Sequence, residues 1–316
     1  MKEIPEKRRM SPEKTPDTGG SRSKESAPVL GVHVSIQGSV SLAIGRGEAL
    51  GCTAIQIFTK NANQWRAKRL TADEVSAFKE ERRRAGMVVV AHDGYLINLA
   101  SPDPSLRQKS LVAFREELDR AEELEIPSLI MHPGAHTGSG EDTGIQSVIT
   151  ALNTLLKDTS GYRVKIAVEN TAGQGTALGY SLEHLARIVN GGVQQERLGV
   201  CLDSCHAFAA GYDLRDRATY EAFVERFDRL LGLERLQAVH LNDAKKGLGS
   251  RVDRHEHIGD GMLGLEFFRL IMNDPRLRTI PKLLETPKER DGTEMDPINL
   301  RVLRGLVSRQ NHRQTA

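Results

Sequence analysis

No stretch of this 316-residue chain approaches the ~20 consecutive apolar residues that a membrane-spanning helix needs, and no signal-peptide pattern opens it. A soluble, intracellular protein is therefore expected, without a membrane partner: cytoplasmic, or nuclear in a cell that has a nucleus. Cysteine is scarce. Cys52, Cys201 and Cys205 form an odd set that excludes a disulfide framework and fits a reducing compartment. Three residues separate Cys201 from Cys205, so there is no CxxC knuckle, and all three read as small packed residues. An excess of charge is missing too: 44 basic residues against 42 acidic ones leave +2. That is too little for a protein that coats nucleic acid indiscriminately, although one basic face stays open. No GxGxxG follows the first apolar run, which removes the main reason to expect a doubly wound nucleotide-binding sheet.

Residues 1–27 hold Pro, Ser, Glu, Lys and Gly with almost nothing apolar, so they cannot offset their ordering entropy and are expected to be a disordered tail. The KRR triplet within them reads as solvated charge. The last residues, SRQNHRQTA, look similarly frayed. Between the tails, over 28–310, short β-like runs alternate with helical patterns. The runs are Val29–His33, Ala54–Phe58, Met87–His92, Ser128–His132, Val164–Glu169, Leu198–Asp203, Leu236–His240 and Pro281–Glu285. Each is rich in Val, Ile or Leu, as strands buried on both faces are. Helices are expected over Pro104–Leu124, Ser181–Val189 and Thr219–Leu231, with Asp296 as N-cap and Pro297 as first residue of the last one. Eight alternations over about 280 residues have the size and rhythm of a single (β/α)8 TIM barrel, class α/β.

Seven of the eight runs end on a side chain able to bind metal: His33, His92, His132, Glu169, Asp203, His240 and Glu285. In a barrel the carboxyl ends of all strands surround one mouth, so residues far apart in sequence meet there. Packing has no use for so many ionisable groups at one end, since buried charges must be paired or bound to metal. Two local patterns add to the set. In CLDSCHAFAAGYD, Asp203 and His206 stand three apart where strand turns to helix. In RVDRHEH, Asp253 and His255 alternate on an extended segment and face one way, while His257 reads as a loop residue. The pooled candidates are His92, His132, Glu169, Asp203, His206, His240, Asp253, His255 and Glu285. Imidazole and carboxylate without thiolate suit Zn2+ or Mn2+. Nine side chains exceed the needs of one ion and roughly supply three if some carboxylates bridge. Such a site keeps about two positive charges, which favours an anionic substrate such as a phosphodiester.

At these residues the sequence resembles the endonuclease IV family of apurinic/apyrimidinic (AP) endonucleases, within the xylose isomerase-like TIM barrels. The resemblance covers about 29–308 and rests on FTKNANQWR, AHDGYLINLASP, HPGAH, VENTAGQG, CLDSCHAFAAGYD, HLNDAKKGLGSRVDRHEHIGDG and LETPKE. It implies three Zn2+ per chain, with Mn2+ as a substitute. His92 and His132 would bind the first ion, with Glu169 bridging to the second. Asp203, His240 and Glu285 would complete the second, and His206, Asp253 and His255 would hold the third. The implied reaction is hydrolysis of the DNA backbone 5′ to an abasic site, leaving 3′-hydroxyl and 5′-deoxyribose phosphate ends, together with trimming of blocked 3′ ends. Glu285 and Glu169 are the implied catalytic carboxylates, Glu285 orienting or deprotonating the water.

The implied partner is double-stranded DNA carrying abasic sites or blocked 3′ ends, bound by a monomer. The loop TKNANQWRAKR has Lys60, Arg66, Lys68 and Arg69, no acid, and the only tryptophan, Trp65. A basic loop with an aromatic can grip phosphates and wedge into a groove. Tyr95 and Leu96 match the residues by which the family enters the minor groove, where an already unstacked abasic nucleotide is cheap to flip out. Lys245, Lys246, Arg251 and Arg254 would hold phosphates from the other side, Lys245 and Arg254 foremost. One departure stands out: family members can insert a basic side chain from the middle of the TKN…QW loop, where this chain has Asn63. Two other readings compete. A sugar isomerase or epimerase on the same barrel needs fewer ligands, so the third-ion residues discriminate against it. A damage-binding protein that does not cut would be expected to have lost ligands.

Overall fold

The structure, a computed structural model, describes residues 28–308. The tail expected over 1–27, and the frayed end expected over 308–316 apart from Ser308, lie outside the described residues. The eight apolar runs form eight strands: β1 (Leu30–His33), β2 (Ala54–Phe58), β3 (Val88–His92), β4 (Ser128–Met131), β5 (Lys165–Glu169), β6 (Leu198–Asp203), β7 (Leu236–His240) and β8 (Lys282–Leu284). All pair in parallel, in chain order, and β8 closes on β1 through Leu30↔Lys282 and Gly31↔Leu283. The fold is therefore the closed (β/α)8 barrel that the alternation implies.

The helices are α1 (Leu42–Ala49), α2 (Ala72–Ala85), α3 (Pro104–Glu123), α4 (Glu141–Asp158), α5 (Leu182–Asn190), α6 (Ser204–Ala210), α7 (Arg217–Leu231), α8 (Leu265–Met272) and α9 (Asp296–Leu306). Local chemistry sets their ends. Thr71 and Glu74 form a reciprocal capping box that opens α2, and Gly86, with φ 60°, closes it in the left-handed region. Asp103 accepts from the amides of Ser105 and Leu106 to start α3, with Pro104 in its first turn, while Ser181 and Asp216 cap α5 and α7. The expected start of α9 is displaced by one residue. Met295 is the N-cap, and Asp296 and Pro297 lie inside the first turn, where Asp296 binds Lys288 at 2.9 Å. No helix among the described residues is long and apolar enough to cross a membrane.

Two apolar layers hold the barrel. The outer one, between strands and helices, contains the large side chains, including Phe78, Phe114, Phe227, Phe267 and Phe268. The inner one takes one small or medium residue from each of seven strands: Ala54, Val90, Ile130, Ala167, Cys201, Ala238 and Leu283. The β1 position at this level is Gly31, where a Cβ would lie 1.6 Å from the carbonyl oxygen of Ala54, so only glycine fits. This plug closes the barrel floor and supports everything at its mouth.

Candidate metal centre

Side chains two positions apart on a strand share a face. Two residues beyond the inner apolar layer, each strand therefore presents one more inward side chain, and all eight are polar: His33, Gln56, His92, His132, Glu169, Asp203, His240 and Glu285. Sequence reading found seven of them as strand ends. It missed Gln56, because β2 runs on to Phe58, and the signal that finds it is this two-residue step.

Glu169 is fully buried at the centre of the ring. Four imidazoles converge on its carboxylate: His240 Nδ1 at 2.9 Å, His92 Nε2 at 3.0 Å, His132 Nε2 at 3.2 Å and His206 Nδ1 at 3.3 Å. Three groups of candidate donors have their ligand atoms within 4.8 Å of one another: His92, His132 and Glu169; Glu169, Asp203, His240 and Glu285; and His206, Asp253 and His255. All nine side chains pooled from the sequence are thus brought together at one mouth. Cys201 and Cys205 lie near the same atoms, but burial pushes the Cys201 thiol up to about 11 and that of Cys205 higher still, so neither offers a ready thiolate. His257 is not part of the cluster. It is buried with its Nδ1 3.1 Å from Asn299 Nδ2.

Hydrogen bonds to outer oxygens fix which nitrogen each ring turns inward. His92 Nδ1 donates to the carbonyl of Asp93 at 2.9 Å, His206 Nδ1 to that of Asn170 at 2.9 Å and His255 Nδ1 to that of Glu285 at 3.2 Å. A carbonyl oxygen only accepts, so each of these rings carries a proton on Nδ1 and turns Nε2 toward the cluster. Asp203, at the end of β6, caps α6 by accepting the His206 amide at 2.7 Å, and its other oxygen accepts from Asn242 Nδ2 at 2.6 Å. Asn170 brackets the backbone of Asp203, and Asn242 accepts the Glu285 amide at 2.8 Å. Sequence reading did not single out these asparagines, though each follows a strand-end ligand type by one or two residues. The segment bearing Asp253 and His255 is held by a two-residue antiparallel ribbon, Asp243–Ala244 with His255–Glu256. It is also held by Gln174 Oε1 on the Asp253 amide at 3.1 Å and by the Arg251 guanidinium 3.9 Å above the Tyr180 ring.

The electrostatics match a site built for cations. Burial presses His92, His206 and His240 toward the neutral form, yet the surrounding carboxylates, and for His240 first the adjacent Cys201, outweigh it and hold all three well above the ordinary imidazole range. Burial likewise opposes ionisation of Glu169 and Glu285, but the imidazoles around them, His240 foremost, keep both well below the usual carboxylate range. For Asp253 the same contest ends at about 2, with His206 the main opponent of burial. Protons on the imidazoles occupy the electrostatic role that metal cations would take. The decisive observation for fit is that the buried Nε2 atoms of His206 and His255 have no hydrogen-bond partner among the described residues, although Asp253 oxygens lie 3.2 and 3.5 Å away. Two buried nitrogens held inward without a partner, beside carboxylates, fit divalent metal.

Around the mouth, Tyr95 is 69% exposed, Asn63, Lys245 and Arg254 are exposed, and Leu96 and Trp65 are half-buried. A cavity of about 270 Å³ beside the cluster is lined by His92, Tyr95, Asn98, His132 and Thr171, among others. Lys60 differs from the sequence reading. It does not reach outward for phosphate but is buried, 3.0 Å from Glu117.

Comparison with known proteins gives a consistent result. A family profile described as xylose isomerase-like TIM barrel matches residues 45–306. The probable endonuclease 4 of Chloroflexus aggregans is 54% identical over 281 residues, covering 89% of this chain and 98% of that one. The crystal structure of endonuclease IV from Thermus thermophilus superposes with a TM-score of 0.77 at 37% identity, covering 88% of this chain and 98% of that one. A D-tagatose 3-epimerase-like protein superposes with a TM-score of 0.66 at 20% identity, covering 87% and 96% of the two chains, which is a likeness of fold alone.

Proposed function

This chain belongs to the endonuclease IV family of xylose isomerase-like TIM barrels, and on that premise we propose that it is a metal-dependent AP endonuclease of DNA repair. It hydrolyses the phosphodiester 5′ to abasic sites, leaves 3′-hydroxyl and 5′-deoxyribose phosphate ends, and trims blocked 3′ ends. The observation that carries this reading is the convergence of five imidazoles and four carboxylates into three donor groups, two of them sharing Glu169. An isomerase working with one or two ions has no use for the third group, His206, Asp253 and His255.

In this reading three Zn2+, or Mn2+ in their place, are held by those three groups. Bound there, they supply Lewis acidity toward the phosphate, a water of lowered pKa and charge for the leaving 3′-oxygen. The protein does the rest. Glu169 joins the first two groups from the floor of the ring, and its burial keeps bulk water from competing for its oxygens. Glu285, one-fifth exposed at the rim, orients the attacking water and takes its proton. Asp203 and His206 are locked to each other through the α6 cap, so two groups keep a fixed separation. On the DNA side, Tyr95 and Leu96 enter the minor groove at the lesion, Asn63 and Trp65 contact the duplex from the loop after β2, and Lys245 and Arg254 hold phosphates. The chain acts as a monomer on double-stranded DNA.

The test is incision of an abasic-site duplex by the purified protein. A 3′-hydroxyl product without added magnesium is expected, with loss of activity on chelation and recovery with zinc. Glu285→Gln is expected to reduce incision at least ~10²-fold while duplex binding survives. Full activity after chelation, with under about one metal ion per chain, would reject the reading.

A further inference from the structure

Of the eight side chains in the polar ring, His33 and Gln56 belong to none of the three donor groups. Gln56 is fully buried. Its amide touches three members of the ring: Oε1 lies 2.7 Å from His240 Nε2, and Nε2 lies 2.5 Å from Glu285 Oε1 and 3.0 Å from His33 Nδ1. The chemistry of these neighbours fixes which way the amide faces. An ionised carboxylate only accepts, so the NH2 group must face Glu285 and the oxygen must face His240. An amide oxygen also only accepts. His240 therefore carries a proton on Nε2, which leaves Nδ1, 2.9 Å from Glu169 Oε1 and 3.2 Å from Glu285 Oε2, as the nitrogen that would face a metal ion. The second amide hydrogen is used by His33 Nδ1, which places the proton of that ring on Nε2.

One side chain thus sets two histidine tautomers and the orientation of one carboxylate. It reaches from β2 past β1 to β7 and β8. Its effect is asymmetric: it occupies Glu285 Oε1 and leaves Oε2 turned to the cluster. Among the candidate metal donors, His240 has its outer nitrogen held by a side chain, whereas those of His92, His206 and His255 are held by backbone carbonyls. The tautomer of His240 therefore depends on the identity of residue 56, whereas the tautomers of His92 and His206 come with the fold. A residue whose only task were to fill the barrel at this level would be apolar, as Ala54 is two positions earlier.

Resting on the hydrolytic reading above, we propose that Gln56 is a positioning residue for the reaction, its amide holding Glu285 and His240 in the orientation that incision requires. Fully buried beneath the rim, it is out of reach of a DNA strand, so its loss shows in turnover and metal affinity rather than in DNA binding. Gln56→Met keeps the length and removes donor and acceptor. Gln56→Glu keeps the acceptor for His240 and sets a second carboxylate against Glu285. Both are expected to lower kcat by roughly 10–100-fold and to weaken zinc binding, measured by competition with a chelator, by a similar factor, with KM for the abasic duplex within about threefold of wild type.

A measurement on the unaltered protein guards against variants that fold poorly. In zinc-loaded, ¹⁵N-labelled wild type, His240 is expected to show a protonated Nε2 and an unprotonated Nδ1. A protonated Nδ1 on His240 overturns the proposal. So does a folded Gln56→Met protein whose kcat and zinc affinity both stay within about threefold of wild type, or one whose kcat loss is matched by an equal loss of duplex affinity. If wild type fails to incise abasic DNA, the functional reading falls on its own, and the imidazole spectrum still decides whether Gln56 orients His240.

Discussion

Lys282 lies in the barrel wall on β8, 1% exposed, with its ammonium donated to the carbonyl oxygens of Leu277 at 2.5 Å and Ile280 at 3.2 Å. Burial lowers its pKa from the ordinary 10.5 to about 8, with Asp274 opposing weakly. Between those two values the unfolded chain binds a proton that the folded chain does not, so stability rises with pH through that window. Below about 8 the folded protein carries the full cost of an enclosed charge, roughly 3 kcal/mol from the gap of about 2.5 pH units. Lys282→Met removes the charge and leaves two carbonyls to find other partners, so its net effect at pH 7 is set by two opposed quantities. The pH dependence is not. In urea unfolding, the stability of wild type is expected to gain roughly 2 kcal/mol on the variant between pH 7 and pH 10. A difference independent of pH would show that the ammonium is better solvated than its burial indicates.

The loop between β2 and α2 shows what an element owes to residues distant in sequence. By itself TKNANQWRAKR is basic, and its lysines and arginines read as free for phosphate. In the folded chain α3 supplies acids and a guanidinium that staple it down. Lys60 pairs with Glu117 at 3.0 Å and donates to the carbonyl of Gln64 at 2.7 Å. The Arg120 guanidinium donates to the carbonyls of Thr59 and Lys68, and Glu116 accepts the Ala67 amide. The carbonyl of Ala62 then accepts the Tyr95 amide at 3.1 Å, which ties this loop to the one carrying the exposed tyrosine. Periodicity and propensity could not reveal this, because the partner of Lys60 is 57 residues away on the inner side of a helix whose sequence only shows an amphipathic stripe. The strand-end candidate ligands were legible for the opposite reason: a parallel barrel sends every strand end to one place, so position within the strand suffices. Glu117→Gln leaves the Lys60 ammonium buried without its counter-charge and is expected to cost roughly 3–5 kcal/mol in denaturant unfolding. Lys60→Met combined with Glu117→Leu should recover most of that stability. Both proteins are expected to raise KM for an abasic duplex several-fold with kcat nearly unchanged, since the loop is loosened and the ring is not. An effect confined to kcat would separate the staple from DNA contact.

Over the whole molecule, the candidate ligands come from β3 to β8 and from the α6 and ribbon segments that follow β6 and β7. Ions held by the three groups would therefore cross-link most of the circumference of a sheet that hydrogen bonds and two apolar layers already close. The fold was readable because eight apolar runs recur with helices between them. The grouping of the candidate ligands was not readable from spacing, since it depends on which strand ends face each other across the mouth. The centre buries Glu169 and Asp203 completely, with Glu285 and Asp253 beside them, and without metal only raised imidazole pKa values balance those charges. Metal binding to the native state alone stabilises it by roughly 4 kcal/mol for each site filled at 1,000 times its Kd. Stripping metal with a chelator and dialysing it away should then lower Tm by on the order of 10 °C, and zinc should restore it. Because the candidate ligands span six strands, the loss should appear as a shift of the single main transition, not as a separate early melt of the mouth. Calorimetry of stripped and reloaded protein checks both points. Identical melting curves would mean that the nine side chains hold their places without cations, and that the charge balance at the mouth is met by protons alone.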